Sequence, residues 1–315
     1  MAGFARLWGF SVGFYGVWLA HVGRQTGILG MLARGPITIG KLISESKMDR
    51  RAVQAWCVAA ISYRLVHEKN GRMYLRPGME SMLLDKKSPN YLGGQFSYLA
   101  LRSLEYGTFG ELFKSGKTCE ISTLEAIEQA TDWDHYSLLA EVKHDKKLYQ
   151  LLTNGCRMLD VGCGTGSLIA KMHDAYPRSH FVGIDSSAKA VTRAHKIAKP
   201  FKIMKLAAES MIFENEFDIV YLGESLYATR DKGKVMSNCW RALKKDGSIV
   251  IVEGLLPETN LQRDDNRPII AMQLDFVLQG NSFMTRKEII KLLRRFTAVR
   301  FKYLGGSVYL ITAHR

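Results

Sequence analysis

The sequence predicts an α/β chain: a mostly parallel sheet with helices on both faces, preceded by a mostly helical N-terminal domain. Three observations predict it. Residues 157–175 read as strand, glycine turn and helix. Beyond them, short apolar runs alternate with helical patterns. Upstream, residues 38–75 read as helix, turn, helix and hairpin. At 315 residues the chain is long enough for two domains. The expected division is a winged-helix-like domain at 1–84, a helical linker and cover at 85–150, and the α/β domain at 151–315.

Residues 158–161 form a short apolar run, as a buried parallel strand does. Gly162, Gly164 and Gly166 follow at alternate positions. Glycines so spaced allow a tight turn and let a ligand touch bare backbone. Residues 167–175 then read as a helix, stopped by Tyr176-Pro177. A second apolar run at 181–184 ends in Asp185, about 20 residues past the loop. In doubly wound folds an acid there receives the ribose hydroxyls of a nucleoside. A third strand is expected at 201–207, a fourth at 217–222, a helix at 231–243, a turn at 245–247 and a fifth strand at 248–252. A helix at 269–279 follows a polar loop. Thr285 and Glu288 make a capping box for the next helix. Residues 299–303 and 308–312 close the chain as a hairpin around Gly305-Gly306.

In the N-terminal part, Thr38 is placed to cap a short helix. Residues 50–63 put Val53, Trp56, Cys57, Ala60 and Ile61 on one side. Lys69-Asn70-Gly71 turns a hairpin. This is a winged-helix pattern. It reads either as DNA recognition through Arg50, Arg51 and Gln54, or as dimerisation, which the following α/β domain favours. Residues 7–23 carry no Asp, Glu, Lys or Arg, and are short for a membrane span of about 20 residues. A packing or dimerisation helix is expected there, with weak membrane association as the alternative. Gly9, Gly13, Gly16 and Ala20 share one face, which lets another helix approach closely. Pro89-Asn90 and Gly93-Gly94 mark a loop, and residues 132–136 lead into a helix through Leu148.

The net charge is +14, but the basic residues are scattered. That is a generically basic surface rather than a nucleic-acid footprint. The five cysteines form no C-x-x-C pair and have no His cluster beside them. They read as free thiols in a reducing compartment, with no disulfide framework and no metal; the expected location is cytoplasmic.

The spacing is not the dinucleotide fingerprint, because the third glycine comes one residue early. Asp160, then Gly162, Gly164 and Gly166, then Asp185 resembles motifs I and II of the class I S-adenosylmethionine (SAM) dependent methyltransferases. The closest likeness is to the O-methyltransferase type with an N-terminal winged-helix dimerisation domain. It covers most of the chain and is most specific over 157–253. The resemblance implies a Rossmann-like seven-stranded core, SAM as cofactor with S-adenosylhomocysteine (SAH) as product, no metal, a homodimer, and a small-molecule acceptor, O- or C-methylated.

The same resemblance implies the site. Asp160 and the loop Gly162, Cys163, Gly164 and Gly166 would hold the methionine end of SAM. Asp185, with Ser186 beside it, would accept the ribose hydroxyls. The third-strand tip would meet the adenine, and Gly223 lies at the fourth-strand tip. The family often has Gly-Asp-Ala at the third tip; this chain has Leu206-Ala207-Ala208-Glu209, so Ala208 and Glu209 take those places. Tyr136 and His135 belong to the segment that covers the cofactor.

Many relatives carry a His base in a Leu-His-Asp-Trp pattern. Here Leu226-Tyr227-Ala228-Thr229 stands in its place, and residues 201–312 contain no His. Tyr227, Glu224 and His135 are the candidate catalytic residues, with Glu253 and Asp275 as further acids; alignment of the acceptor with the methyl group supplies rate without a strong base. Met272, Gln273 and Phe276, on the helix after the fifth strand, are the candidate acceptor-binding residues or else a core stripe. Two alternatives stand beside a small-molecule enzyme: a winged-helix DNA-binding regulator that senses SAM, and a methyltransferase of RNA or protein. The fourth tip, Leu222-Gly223-Glu224-Ser225, lacks the Asn/Asp-Pro-Pro-Tyr type of motif, which speaks against nucleic acid as acceptor.

Overall fold

A computed structural model describes residues 2–119, 124–197 and 201–315. The chain divides into two compact units, Met1–Gly107 with Thr123–Tyr136, and Thr108–Ser122 with Ser137–Arg315.

The first unit opens with a long helix, Ala2–Gln25, followed by helices Ile28–Ala33, Ile39–Ser46 and Arg50–Ser62. The Thr38 side chain accepts the Lys41 N–H and the Asp49 side chain accepts that of Ala52, so two helices start on side-chain caps. Strands β1 (Val66–Lys69) and β2 (Arg72–Leu75) turn through Asn70 and Gly71, both at positive φ (52° and 71°). Two such residues in a row make the twisted hairpin turn that matches strand twist. Ile37 adds an antiparallel bridge to Met73, which completes the wing. Leu42, Val53, Trp56, Cys57, Ala60 and Met73 form its core with Ala20 and Leu29.

Two details differ from the sequence reading. A Cβ on Gly9 or Gly13 meets nothing, whereas one on Gly23 would lie 2.5 Å from the Trp56 ring. A Cβ on Gly16 would already lie 3.3 Å from the Tyr63 ring and Ala20 is fully buried, so the close approach covers the second half of the expected face and continues to Gly23. Gly93 and Gly94 begin the helix Gly93–Ser103 instead of marking a loop. A Cβ on Gly94 would stand 1.9 Å from the Gln129 carbonyl oxygen, so bare backbone is required where these helices pass.

Among its described residues the second unit carries an eight-stranded sheet, seven strands of it on one path: β3 (Arg157–Val161), β4 (His180–Asp185), β5 (Lys202–Lys205), β6 (Phe217–Gly223), β7 (Leu243–Leu256), then, beyond the short β8 (Met284–Thr285), β9 (Thr297–Gly305) and β10 (Val308–His314). Their order is β5-β4-β3-β6-β7-β10-β9, with β8 paired to the end of β7. Strands β3 to β7 run parallel, and β10 is antiparallel to both its neighbours. Side chains alternate between faces as the pleat demands. Leu159, Val161, Val220, Leu222, Ile249 and Ile251 pack on one face; Met158, Ile219, Tyr221, Val250 and Val252 pack on the other. Each fully buried aliphatic side chain contributes roughly 1.5–3 kcal/mol.

The 245–247 turn is absorbed into β7, with Asp246 at φ 64° beside a register shift against β6. The helix expected to run through Leu148 breaks at Asp145. That side chain accepts the Lys147 and Leu148 N–H groups and starts a new helix, Lys146–Asn154. The capping box at Thr285 and Glu288 is present. Among the described residues no helix is long and apolar enough to cross a membrane.

The chain leaves β3 for β4 on one side, and β6 lies on its other side. Strand order reverses there, which opens a crevice at the carboxyl ends of β3 and β6.

Candidate active site

The loop after β3 lies over that crevice. Gly162, Gly164 and Gly166 all take positive φ, at 80°, 54° and 76°. The N–H groups of Gly162 and Cys163 both donate to the Ile184 carbonyl, at 2.8 and 3.0 Å, which ties the loop to β4. A Cβ on Gly162 would lie 2.5 Å from Cβ of Ser225, so the loop also packs against the β6 tip. The Ser225 hydroxyl donates to the Val161 carbonyl at 2.8 Å. A Cβ on Gly164, in contrast, would meet open space. Gly166 caps the helix Ser167–Ala175.

Asp185 ends β4 and holds two backbone amides. One oxygen accepts the Gly164 N–H at 2.9 Å and the other the Ser187 N–H at 2.7 Å. Ser186 beside it is exposed. Asp160 is buried, and burial, with Asp185 adding to it, pushes its carboxyl up to about 8. Burial and the nearby Asp160 and Asp185 charges hold the Cys163 thiol protonated, so it offers backbone and no nucleophile.

The third-strand tip is a single turn, Ala208–Ser210. The Glu209 carboxylate accepts the Arg230 and Asp231 N–H groups, at 2.9 and 3.4 Å. The Asn238 side-chain amide donates to the Ala208 and Glu209 carbonyls, both at 3.0 Å. Sequence reasoning missed Asn238, which holds this turn from a distant helix. Gly223 ends β6; a Cβ there would strike the Tyr221 hydroxyl at 2.2 Å.

Beyond β6 the backbone makes one turn, Leu226–Ala228. Glu253, fully buried in β7, accepts the Leu226 and Tyr227 N–H groups at 3.3 and 3.1 Å. The Tyr227 ring stacks on Phe276, centroids 4.5 Å apart, and Phe276 lies 4.3 Å from Phe283. Met272 packs against this cluster. The Gln273 side chain donates to the Ser282 hydroxyl and accepts the Phe283 N–H, both at 2.9 Å. The structure thus brings Tyr227, Glu224, Phe276, Met272 and the cofactor candidates of strands β3 to β6 into one unit. His135 and Tyr136 lie on the helix Leu124–His144, in the part that belongs to the first unit.

These residues fit a cationic nucleoside cofactor. Asp160 is a buried carboxylate with an upshifted pKa, and a ligand ammonium would relieve it. The open space over Gly164 leaves backbone within reach of a ligand. Among the described residues no group of three or more His, Cys, Asp or Glu is placed to hold a metal ion.

Comparison with known proteins agrees. Residues 152–280 match the family described as Methyltransferase domain. Demethylmenaquinone methyltransferase of Thermotoga maritima is 29% identical over 122 residues, 38% of this chain and 53% of that protein. Myricetin 3-O-methyltransferase 3 of Solanum habrochaites is 25% identical over 175 residues, 54% of this chain and 47% of that one. The chain therefore spans about half the length of these curated relatives. Human N-acetylserotonin methyltransferase, solved in complex with SAM, superposes with a TM-score of 0.73 at 17% identity, covering 100% of this chain and 98% of that one. None of these relatives favours the DNA-binding regulator. The chain carries a methyltransferase domain at residues 152–280 and has the fold of the class I SAM-dependent methyltransferases.

Proposed function

We propose that the chain transfers the methyl group of SAM to a small, aromatic or apolar acceptor, at oxygen or carbon, by in-line displacement. The observation that carries this is the positive-φ glycine loop standing between the two acids Asp160 and Asp185. When bound, SAM supplies an electrophilic methyl group on a sulfonium. Asp160 and the backbone of Gly162, Cys163, Gly164 and Gly166 would hold its amino-acid end. Asp185 and Ser186 would meet the ribose, and Ala208, Glu209 and Gly223 the adenine side; Tyr136 is proposed to line the site. A small-molecule acceptor is supported by the relatives named for demethylmenaquinone and myricetin.

On the acceptor side, Met272, Gln273 and Phe276 are proposed to bind the molecule, and Tyr227, Glu224 and His135 to act on it. Tyr227 is held at its backbone by Glu253 and at its ring by Phe276. Such fixing serves alignment, which alone lowers a barrier by several kcal/mol. Calorimetric titration tests the reading. SAM and SAH should both bind, and failure of both below about 1 mM, near −4 kcal/mol, removes it.

The homodimer is part of the same proposal. Phe4, Leu7, Trp8, Phe10, Phe14 and Tyr15 on the first helix are all at least half exposed, an apolar surface that a second copy would cover. Light scattering should give twice the chain mass of 35.5 kDa. A monomer at micromolar concentration would remove this part alone.

A further inference from the structure

A cleft of about 380 Å³ lies between the first two turns of the helix Lys232–Ala242 and the end of the helix Arg286–Leu292. Four cations line it: Lys232 from the first helix, Lys291 from the second, and Arg294 and Arg295 just past its end. Glu288 is the one acid in the wall. Its Oε2 accepts the Thr285 N–H and hydroxyl, at 2.7 and 2.9 Å, so this carboxylate is already engaged in the capping box.

Two of the cations are held in place. The Lys232 ammonium donates to the Tyr227 and Thr229 carbonyls, at 3.1 and 2.9 Å. The Arg295 guanidinium lies over the Trp240 ring, 4.0 Å from its centroid. Lys291 and Arg294 are exposed and pair with no carboxylate among the described residues. Lys287, one turn before Lys291, does find a carboxylate, that of Glu258 at 3.3 Å. The rest of the wall is apolar: Met236, Met284 and Phe296 are buried, and Leu292 is half-buried.

Cations near a helix C-terminus complement its dipole, which accounts for Lys291. It does not account for Lys232, which lines the cleft from another helix, or for the apolar wall beside the charges. A concave site with an apolar lining and a few convergent charges is what a small ligand needs.

We propose that this cleft binds a small anion with an apolar body, of the class of an aryl phosphomonoester. Such a group carries about −1.5 to −2 charges near neutral pH, which suits a cleft with four cations and one engaged acid. The two guanidinium groups can each take phosphate oxygens in pairs. Met236, Met284, Leu292 and Phe296 would cover the ring. The volume is near the lower end of ligand sites, about 300–1,000 Å³, so one ring with its phosphate fits the space. None of the lining residues is a cofactor candidate, so the site stands or falls apart from the SAM-dependent reading.

Calorimetry with phenyl phosphate, at neutral pH and about 50 mM salt, tests the site. Binding is expected below about 1 mM. Inorganic phosphate should bind at least tenfold more weakly, because it leaves the apolar wall uncovered. Excess SAM should leave the phenyl phosphate affinity within about twofold, as expected for separate sites. Lys291→Glu combined with Arg294→Glu should lower the affinity tenfold or more; both side chains are exposed, and the melting temperature checks the fold. Arg294→Gln alone should lower it several-fold. The same double reversal at Lys143 and Lys146, exposed and outside the cleft, should leave the affinity within about twofold. Four results overturn the proposal: no binding below about 10 mM, displacement by SAM, equal affinity for inorganic phosphate, or equal losses from the reversals inside and outside the cleft.

Discussion

The Asp185 carboxylate accepts the Gly164 N–H at 2.9 Å, so the acid that ends β4 braces the loop that follows β3. Its second oxygen is fixed by Ser187. The acid is therefore oriented before any ligand arrives. Preorganisation of this kind lowers the cost of binding.

Replacing Asp185 by Ala removes a charged acceptor and releases the loop together. SAM affinity should fall by about 1.5–3 kcal/mol, roughly 10- to 150-fold. Asp185→Asn keeps one acceptor oxygen and should fall between the two. Calorimetric dissociation constants measure this. An Ala variant within threefold of wild type would mean that the acid braces the loop and does not meet the cofactor.

Two glycines of the same loop should respond differently to Ala. At Gly162 the added Cβ meets Ser225 at 2.5 Å on top of a positive φ, so the β6 tip must move. That variant should lose stability by a few kcal/mol. At Gly164 the Cβ enters open space, and only the left-handed backbone is penalised, by about 1–2 kcal/mol. If a ligand lies on this backbone, Gly164→Ala should keep most of its melting temperature and lose SAM affinity by tenfold or more. Melts and titrations of the two variants separate a structural glycine from a ligand-facing one.

The buried acids also set a pH dependence. Asp160 has an ordinary value of 3.8 and rises to about 8 in the folded protein. The folded state binds this proton more tightly than the unfolded chain does. Its contribution to stability is therefore full below about pH 4 and is lost as pH rises through about 8, by up to about 1.4 kcal/mol per pH unit. Glu224, raised from 4.5 to about 7, acts with the same sign. The cofactor-free protein should melt at a lower temperature at pH 8 than at pH 5. Asp160→Asn should flatten that slope and raise the melting temperature at pH 8 while weakening SAM binding. A variant whose melting temperature drops as steeply as the wild type's would assign the slope to other groups.

The parts legible in the sequence are those set by local rules. The three glycines, Asp185 at its spacing, the Thr285 capping box and the Asn70-Gly71 hairpin depend on residues within one or two elements. What was not legible depends on partners far apart in the chain. Asn238 reaches the Ala208 and Glu209 carbonyls from a later helix, and Glu253 caps the turn at Leu226 and Tyr227 from the next strand. Neither has a motif, because sheet order brings them together and spacing does not. Glu209 shows the limit from the other side. It stands where an adenine-binding acid was expected, and its carboxylate also accepts the Arg230 and Asp231 amides, a contact that no local pattern announces. The break at Asp145 was hidden because helix runs on both sides of it, Leu124–His144 and Lys146–Asn154, and one capping side chain separates the two.

The helix Arg267–Leu278 decides where the acceptor sits. Gln273 bonds Ser282 and Phe283, and so pins the turn that follows the helix. Phe276 is buried between the Tyr227 and Phe283 rings. Both therefore have structural work, and Ala at either will lower stability: about 3–5 kcal/mol for the phenyl ring, about 1–3 kcal/mol for the two hydrogen bonds. The acceptor-binding reading demands more than that. Phe276→Leu nearly conserves volume and removes only the stacked ring. It should lower turnover per folded molecule several-fold and raise the acceptor KM, while SAM affinity stays within about twofold because the two sites are distinct. Gln273→Ala should do the same at a temperature well below its melting point. Should both variants keep wild-type turnover and acceptor KM once corrected for folded fraction, the helix is core, and the acceptor is bound by other residues.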